Sequence, residues 1–167
     1  IALDSKLQFR AQAPKDEDAT MLCMGTRNNW ERNCFSLFLQ NNMSRNIKVF
    51  SNDISPKSDA DFVFDFQNPP KSQHSKWDII YTNAIDHAQS ATDAFYNWLP
   101  MLKEEGLLVI GFCCTDGVPT KHDLCMFDQE TLSDFFNNHE KVQVLGSASG
   151  GSFGEYIHYF LRKLPGC

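Results

Sequence analysis

The sequence predicts an α/β fold, a doubly wound and mostly parallel sheet closed by a C-terminal antiparallel hairpin. Three observations predict it. Short apolar runs alternate with segments whose apolar residues recur at three- and four-residue spacing, the signature of successive strand–helix units. The first run, Met21-Leu22-Cys23-Met24, breaks on Gly25 and leads through a helix-like segment to a second run that ends in Asp53. The last two runs flank a glycine- and serine-rich stretch, as in a hairpin.

The chain has 167 residues, 42% of them hydrophobic, enough for one globular core and short for two. Residues 1–18 read as an N-terminal arm or short helix, from Leu3, Leu7 and Phe9 followed by the polar break Pro14 to Asp18. Residues 19–167 form the domain itself. A formal charge of −6 and a pI near 5.3 disfavour a nucleic-acid partner without excluding one. The six cysteines, Cys23, Cys34, Cys113, Cys114, Cys125 and Cys167, lack C-x-x-C spacing and suit reduced thiols in a cytoplasmic protein. No apolar run approaches the ~20 residues of a membrane helix, and no basic leader precedes an apolar signal core. The chain opens on Ile1 rather than Met, which leaves room for additional domains or a protein partner beyond this stretch.

Ala19 to Met24 is the first strand. Asn28 or Asn29 can cap a helix whose residues Trp30, Cys34, Leu37 and Phe38 form one apolar face, expected to pack on the sheet, before Asn41-Asn42. Asn46 to Ser51 and Asp61 to Phe64 are the next strands, the latter stopped by Asn68-Pro69-Pro70. Trp77 to Thr82 has the β-branched and aromatic content of a central strand. Ser90 and Asp93 resemble a capping box before a helix carrying Phe95, Trp98, Leu99 and Leu102, with Pro100 as a kink or restart and Gly106 as its stop. Gly106 to Phe112 is the most apolar strand, and Asp128 can cap a helix bearing Leu132, Phe135 and Phe136. Val142 to Leu145, a flexible loop from Gly146 to Ser152, and Tyr156 to Leu161 complete the hairpin.

The order of strand, glycine turn, helix and acid-tipped strand is how α/β domains build nucleoside sites at the carboxyl ends of parallel strands. An adenosine-bearing cofactor is the expected ligand. Gly25 lets backbone approach a ligand closely or adopt positive φ; a plain strand-to-helix turn is the equal alternative. Asp53, at the tip of its strand, can accept both ribose hydroxyls, against a role as a polar strand end. His74, His122, His139 and His158 lack metal-site spacing, and adjacent Cys113 and Cys114 cannot both face one ion from a strand. No metal is expected. Asp116, Gly117 and His122 read as a solvated loop or part of a lid.

At this point the order of pieces resembles the class I S-adenosylmethionine-dependent methyltransferase family, over nearly the whole chain from Thr20 onward. The resemblance implies a seven-stranded sheet, S-adenosylmethionine as cofactor, and transfer of its methyl group to an oxygen or nitrogen. It implies that Cys23, Met24, Gly25, Thr26 and Arg27 hold the methionine part of the cofactor. Asp53 and Ile54 would meet the ribose side, Asp65 the adenine amino group, and Phe66 the ring face. The family usually has an acid before the glycine loop and further glycines within it; here Cys23 stands near the acid's place and Arg27 near the second glycine's. The resemblance puts Asn83, Asp86 and His87 beside the reactive methyl group and the acceptor, Asn83 also touching cofactor. Asp86 or His87 can serve as general base, although methyl transfer needs chiefly in-line positioning.

Other functions fit less well. Nicotinamide enzymes ask for G-x-G-x-x-G with an acid ~20 residues on, whereas this chain reads Gly25-Thr26-Arg27-Asn28-Asn29-Trp30 with Asp53 farther away. An RNA-directed methyltransferase often shows a lysine, aspartate, lysine and glutamate set; Asp86 is available, but matching lysines are not placed. The main rival is a catalytically degenerate methyltransferase-like scaffold or regulatory domain, which the thin glycine loop favours. Asp53, Asp65 and Asn83 to His87 count against it, being polar groups gathered at one sheet edge. The acceptor, a small molecule or a macromolecule, is not encoded in these motifs.

Overall fold

The computed structural model describes residues 18–43, 46–113, 129–150 and 156–166. The expected arm, Asp116, Gly117, His122 and the cap at Asp128 lie outside the described residues, except that Asp18 pairs with Lys48 at 2.8 Å. Strands β1 (Ala19–Met24), β2 (Ile47–Asp53), β3 (Phe62–Val63), β4 (Trp77–Thr82), β5 (Leu102–Cys113), β6 (Val142–Gly150) and β7 (Tyr156–Lys163) form one seven-stranded sheet in the order β3-β2-β1-β4-β5-β7-β6. All neighbours are parallel except those of β7, which runs antiparallel to both β5 and β6. The mostly parallel sheet with its terminal hairpin is thus the one the alternation predicted.

Two helices, α2 (Ala91–Trp98) and α3 (Gln129–Asn137), bury aromatic residues on one face. The Ser90 hydroxyl accepts the Asp93 amide at 3.2 Å, which caps α2 as predicted. Pro100 does not kink a longer helix. Instead α2 ends at Trp98, a 3-10 turn spans Leu99–Met101, and β5 starts at Leu102. Leu102 is therefore a strand residue, and Gly106 lies within β5 rather than closing a helix. Proline lacks the amide that an α-helix would need there, so the chain leaves the helix around it.

The opposite face carries α1 (Trp30–Asn42), and here the predicted packing is reversed. Trp30, Leu37 and Phe38 are 68%, 64% and 53% exposed, and Cys34 is exposed too. Phe35 and Leu39 are the residues that reach the sheet, packing beside Met21, Cys23, Val49 and Tyr81. The wider apolar arc of the helix wraps past the strip that fits the sheet, and spacing alone does not reveal which edge of it turns inward. The predicted loop is also shorter at its start, because Gly146 to Gly150 continue β6 as partners of Phe160 to Tyr156, after an irregularity between Val144 and Gly146. Among the described residues, no helix is long and apolar enough to cross a membrane.

The amino edge of the sheet is clamped by Asp78. Its Oδ2 accepts from the Thr20 amide at 2.8 Å, the Thr20 hydroxyl at 2.9 Å and Lys103 Nζ at 2.8 Å, joining β1, β4 and β5 far from the strands' carboxyl ends.

Candidate functional site

From β1 the chain proceeds to β2 and β3 on one side, then returns to β4, β5 and the hairpin on the other. Adjacent crossovers therefore leave in opposite directions at the carboxyl ends of β1 and β4, and this switch point is where open α/β sheets form a crevice.

The loop after β1 is held against that crevice. Gly25 has φ +72°, and a Cβ there would come within 2.8 Å of Ala84 Cβ, beyond β4. Glycine is required on both counts. Thr26, only 1% exposed, donates its amide to the Asn52 carbonyl at 3.0 Å. Asn29 takes the helix-cap position in the left-handed region, at φ 58°, but its Oδ1 accepts from the Thr26 hydroxyl at 3.4 Å rather than from the helix, while its amide donates to the Asp59 carbonyl at 2.8 Å. Asn28 accepts from the Trp30 amide instead, at 3.3 Å. Arg27 is exposed.

At the exit of β2, Asp53 Oδ1 accepts the Ser55 amide at 2.6 Å, while its second oxygen makes no hydrogen bond among the described residues. Asn52, fully buried, donates to the Phe64 carbonyl at 2.9 Å and leaves Oδ1 unpartnered. Ile54 is 64% exposed beside them. Asp61, which the sequence reading passed over as part of a strand, accepts the Ser51 amide and hydroxyl at 2.9 and 3.0 Å and lies 3.1 Å from Arg32 Nε. It ties β2 to α1.

Beyond β3, Asp65 accepts the Gln67 amide at 2.9 Å and the Asn68 side chain at 3.1 Å. Phe66 packs against Trp98 with ring centroids 6.2 Å apart, and its carbonyl accepts the Trp98 indole at 2.8 Å. Beyond β4, a 3-10 turn spans Ile85–His87, with His87 Nε2 3.9 Å from Asp86 Oδ1 and the two side chains 49% and 20% exposed. A separate apolar hollow of about 150 Å³ lies between α2 and α3, lined by Ile85, Phe95, Leu132 and Phe135 among others.

Glu31 is the residue sequence reasoning missed. It sits in the first turn of α1, yet its Oε1 accepts the Asn83 side-chain amide at 3.2 Å, bridging from the helix to the end of β4 over the carboxyl end of β1. Its Oε2 is closed off from solvent and has no hydrogen-bond partner. Burial, with the Glu31 charge next in weight, pushes the Cys23 thiol up to about 12. Burial and then Glu31 likewise push the Tyr81 hydroxyl up to about 12. Tyr81 stacks on His158 at 6.1 Å, and burial holds that imidazole below its ordinary pKa. Nothing in the spacing of the helix distinguishes Glu31 from an ordinary acid at a helix start.

Gly25, Asp53 and Asn83 thus converge on the switch point. Asp65 and Phe66 lie farther along, past β3, and Asp86 and His87 lie toward α2. Among the described residues, no three His, Cys, Asp or Glu side chains cluster as a metal site would require.

No known family model matches the sequence, and no curated protein matches it. Solved structures do. The citrinin polyketide synthase CMeT domain superposes with a TM-score of 0.68 at 14% identity, covering 91% of this chain and 48% of that one. The present chain therefore spans about half of that protein's length. The complex of the Haloferax volcanii Trm112 methyltransferase activator with a methyltransferase candidate gives 0.68 at 15% identity, over 92% of this chain and 86% of that one. An Aquifex aeolicus SAM-dependent methyltransferase gives 0.62 at 11%, over 90% and 85%. The chain has the class I S-adenosylmethionine-dependent methyltransferase fold.

Proposed function

We propose that the protein is a methyltransferase that takes its methyl group from S-adenosylmethionine and passes it to an oxygen or nitrogen of a small-molecule or macromolecular acceptor. The observation that carries this reading is the set of underused polar groups around the switch point: the open Asp53 oxygen, the unpartnered Asn52 Oδ1 and the unpartnered Glu31 Oε2. Buried polar atoms without partners are uncommon and call for a ligand or another explanation. The residues present suit this cofactor. Gly25 keeps the loop low over the crevice, Arg27 is an exposed cation on the same loop, and Ile54 offers exposed apolar surface next to Asp53.

On this reading Cys23, Met24, Gly25, Thr26 and Arg27 cradle the methionine part, Asp53 accepts the ribose hydroxyls, and Asp65 with Phe66 borders the adenine. When bound, S-adenosylmethionine supplies a sulfonium methyl whose bond to sulfur breaks as its bond to the acceptor forms, the electron pair returning to sulfur. Asn83 orients the reacting groups, and Asp86 or His87 takes the proton that the acceptor gives up. The net charge of −6 makes a nucleic-acid acceptor the less favoured one.

Calorimetric titration with S-adenosylmethionine, S-adenosylhomocysteine and, for comparison, NAD tests the reading. Micromolar binding of the first two and none of NAD is the expected result. A folded chain that binds neither would instead support the degenerate scaffold.

A further inference from the structure

We infer that Glu31 supplies the carboxylate for the α-ammonium group of the cofactor's methionine part, a task that no acid on β1 performs in this chain. The inference rests on the S-adenosylmethionine reading above and adds to it the residue that selects an amino-acid-bearing nucleoside. The last residues of β1 before Gly25 are Cys23 and Met24, so the strand brings no negative charge to the glycine loop. The charge arrives from the neighbouring helix. Glu31 reaches over β1 to Asn83, whose side chain holds Oε1 at 3.2 Å and leaves Oε2 shut from solvent without a donor. Its charge raises the pKa of Cys23, the residue before the last of β1.

A carboxylate in this position lacks one donor. The surroundings do not supply one: neither the Cys23 thiol nor the Tyr81 hydroxyl, both of whose pKa values its charge helps to raise, bonds to Oε2. Arg32, the next residue on the helix, is turned to Asp61 instead. An ammonium group entering above Gly25 meets the need by a charge-assisted hydrogen bond, the strong kind in a partly buried site. Asn83 then has a double part, fixing the carboxylate and bordering the acceptor.

Three nucleosides and two variants separate this from the alternatives. S-adenosylmethionine and S-adenosylhomocysteine carry the ammonium, whereas 5′-methylthioadenosine lacks the amino-acid part. Glu31→Gln, which keeps shape and the bond to Asn83 but loses the charge, is expected to weaken the first two alike by about tenfold or more. It should leave 5′-methylthioadenosine within about twofold. Asp53→Ala, by contrast, should weaken all three. Equal loss of all three in Glu31→Gln would mark a structural role and overturn the inference, as would unchanged binding of S-adenosylhomocysteine. Loss for S-adenosylmethionine alone would assign Glu31 to the sulfonium and also overturn it. Failure of the unmutated protein to bind any of the three overturns the cofactor reading itself, a result distinct from either.

Discussion

On the face of the sheet that carries α2 and α3, Phe95, Trp98, Leu132 and Phe136 are each 2% exposed or less, whereas α1 on the other face has no buried residue at all. The first face is a close aromatic core, with Phe95 against Phe135 and Phe136 at 5.3 and 5.6 Å. The second brings Cys23, Tyr81, Glu31 and His158 together near the carboxyl ends of the strands. Stability is concentrated where packing is dry and dense. The α1 face is looser and brings a carboxylate, Glu31, with one oxygen lacking a partner, to the end of β4, the arrangement a ligand site requires.

The dense face is most easily disrupted by Trp98→Ala. It removes a fully buried ring and its bond to the Phe66 carbonyl, and it should cost about 3–5 kcal/mol in chemical denaturation. A cost below about 1 kcal/mol would deny that this face holds the fold together. Next in size, Asp53→Ala should weaken S-adenosylhomocysteine by about 1.5–3 kcal/mol in calorimetry while leaving the chain folded. Unaltered affinity in the folded variant would remove Asp53 from the ribose role.

The clamp at the amino edge gives a pH test. Burial pushes the Asp78 carboxyl up, but the bonds from Lys103 and Thr20 outweigh it, so its folded-state pKa lies below the ordinary 3.8. A carboxylate lowered in this way stabilises the fold above its unfolded pKa, and that stabilisation disappears as pH falls below about 4 toward the folded value. Asp78→Asn should therefore lower the melting temperature at pH 7 and converge on the unmutated protein in acid. A deficit that persists unchanged at pH 2–3 would point to packing rather than charge. The smallest effect belongs to α1: Trp30→Ser and Leu37→Ser should each shift stability by no more than about 0.5 kcal/mol, since both side chains are mostly in solvent.

That last pair also shows where the sequence misleads. Strand limits such as Ala19–Met24 and Trp77–Thr82 could be read directly, because a buried parallel strand is a mostly apolar run, here interrupted at the amino ends by Thr20 and Asp78. The cap at Ser90 was equally legible, being a local signal. The direction of α1 was not, since Trp30, Cys34, Leu37 and Phe38 share the spacing of a core face and only the position of the sheet decides that Phe35 and Leu39 turn inward. In the site, Gly25 and Asp53 stood out because a broken strand and an acid tip are sequence-local. Glu31 did not, because its partner Asn83 is 52 residues away.

The most direct test of the account is to map amide chemical-shift changes by NMR as S-adenosylhomocysteine is added. Changes centred on Gly25 to Glu31, Asn52 to Ile54 and Asn83, with Phe95 and Phe135 quiet, are the predicted result. Changes centred on the hollow between α2 and α3, with Gly25 and Asp53 unmoved, would contradict a cofactor site at the switch point.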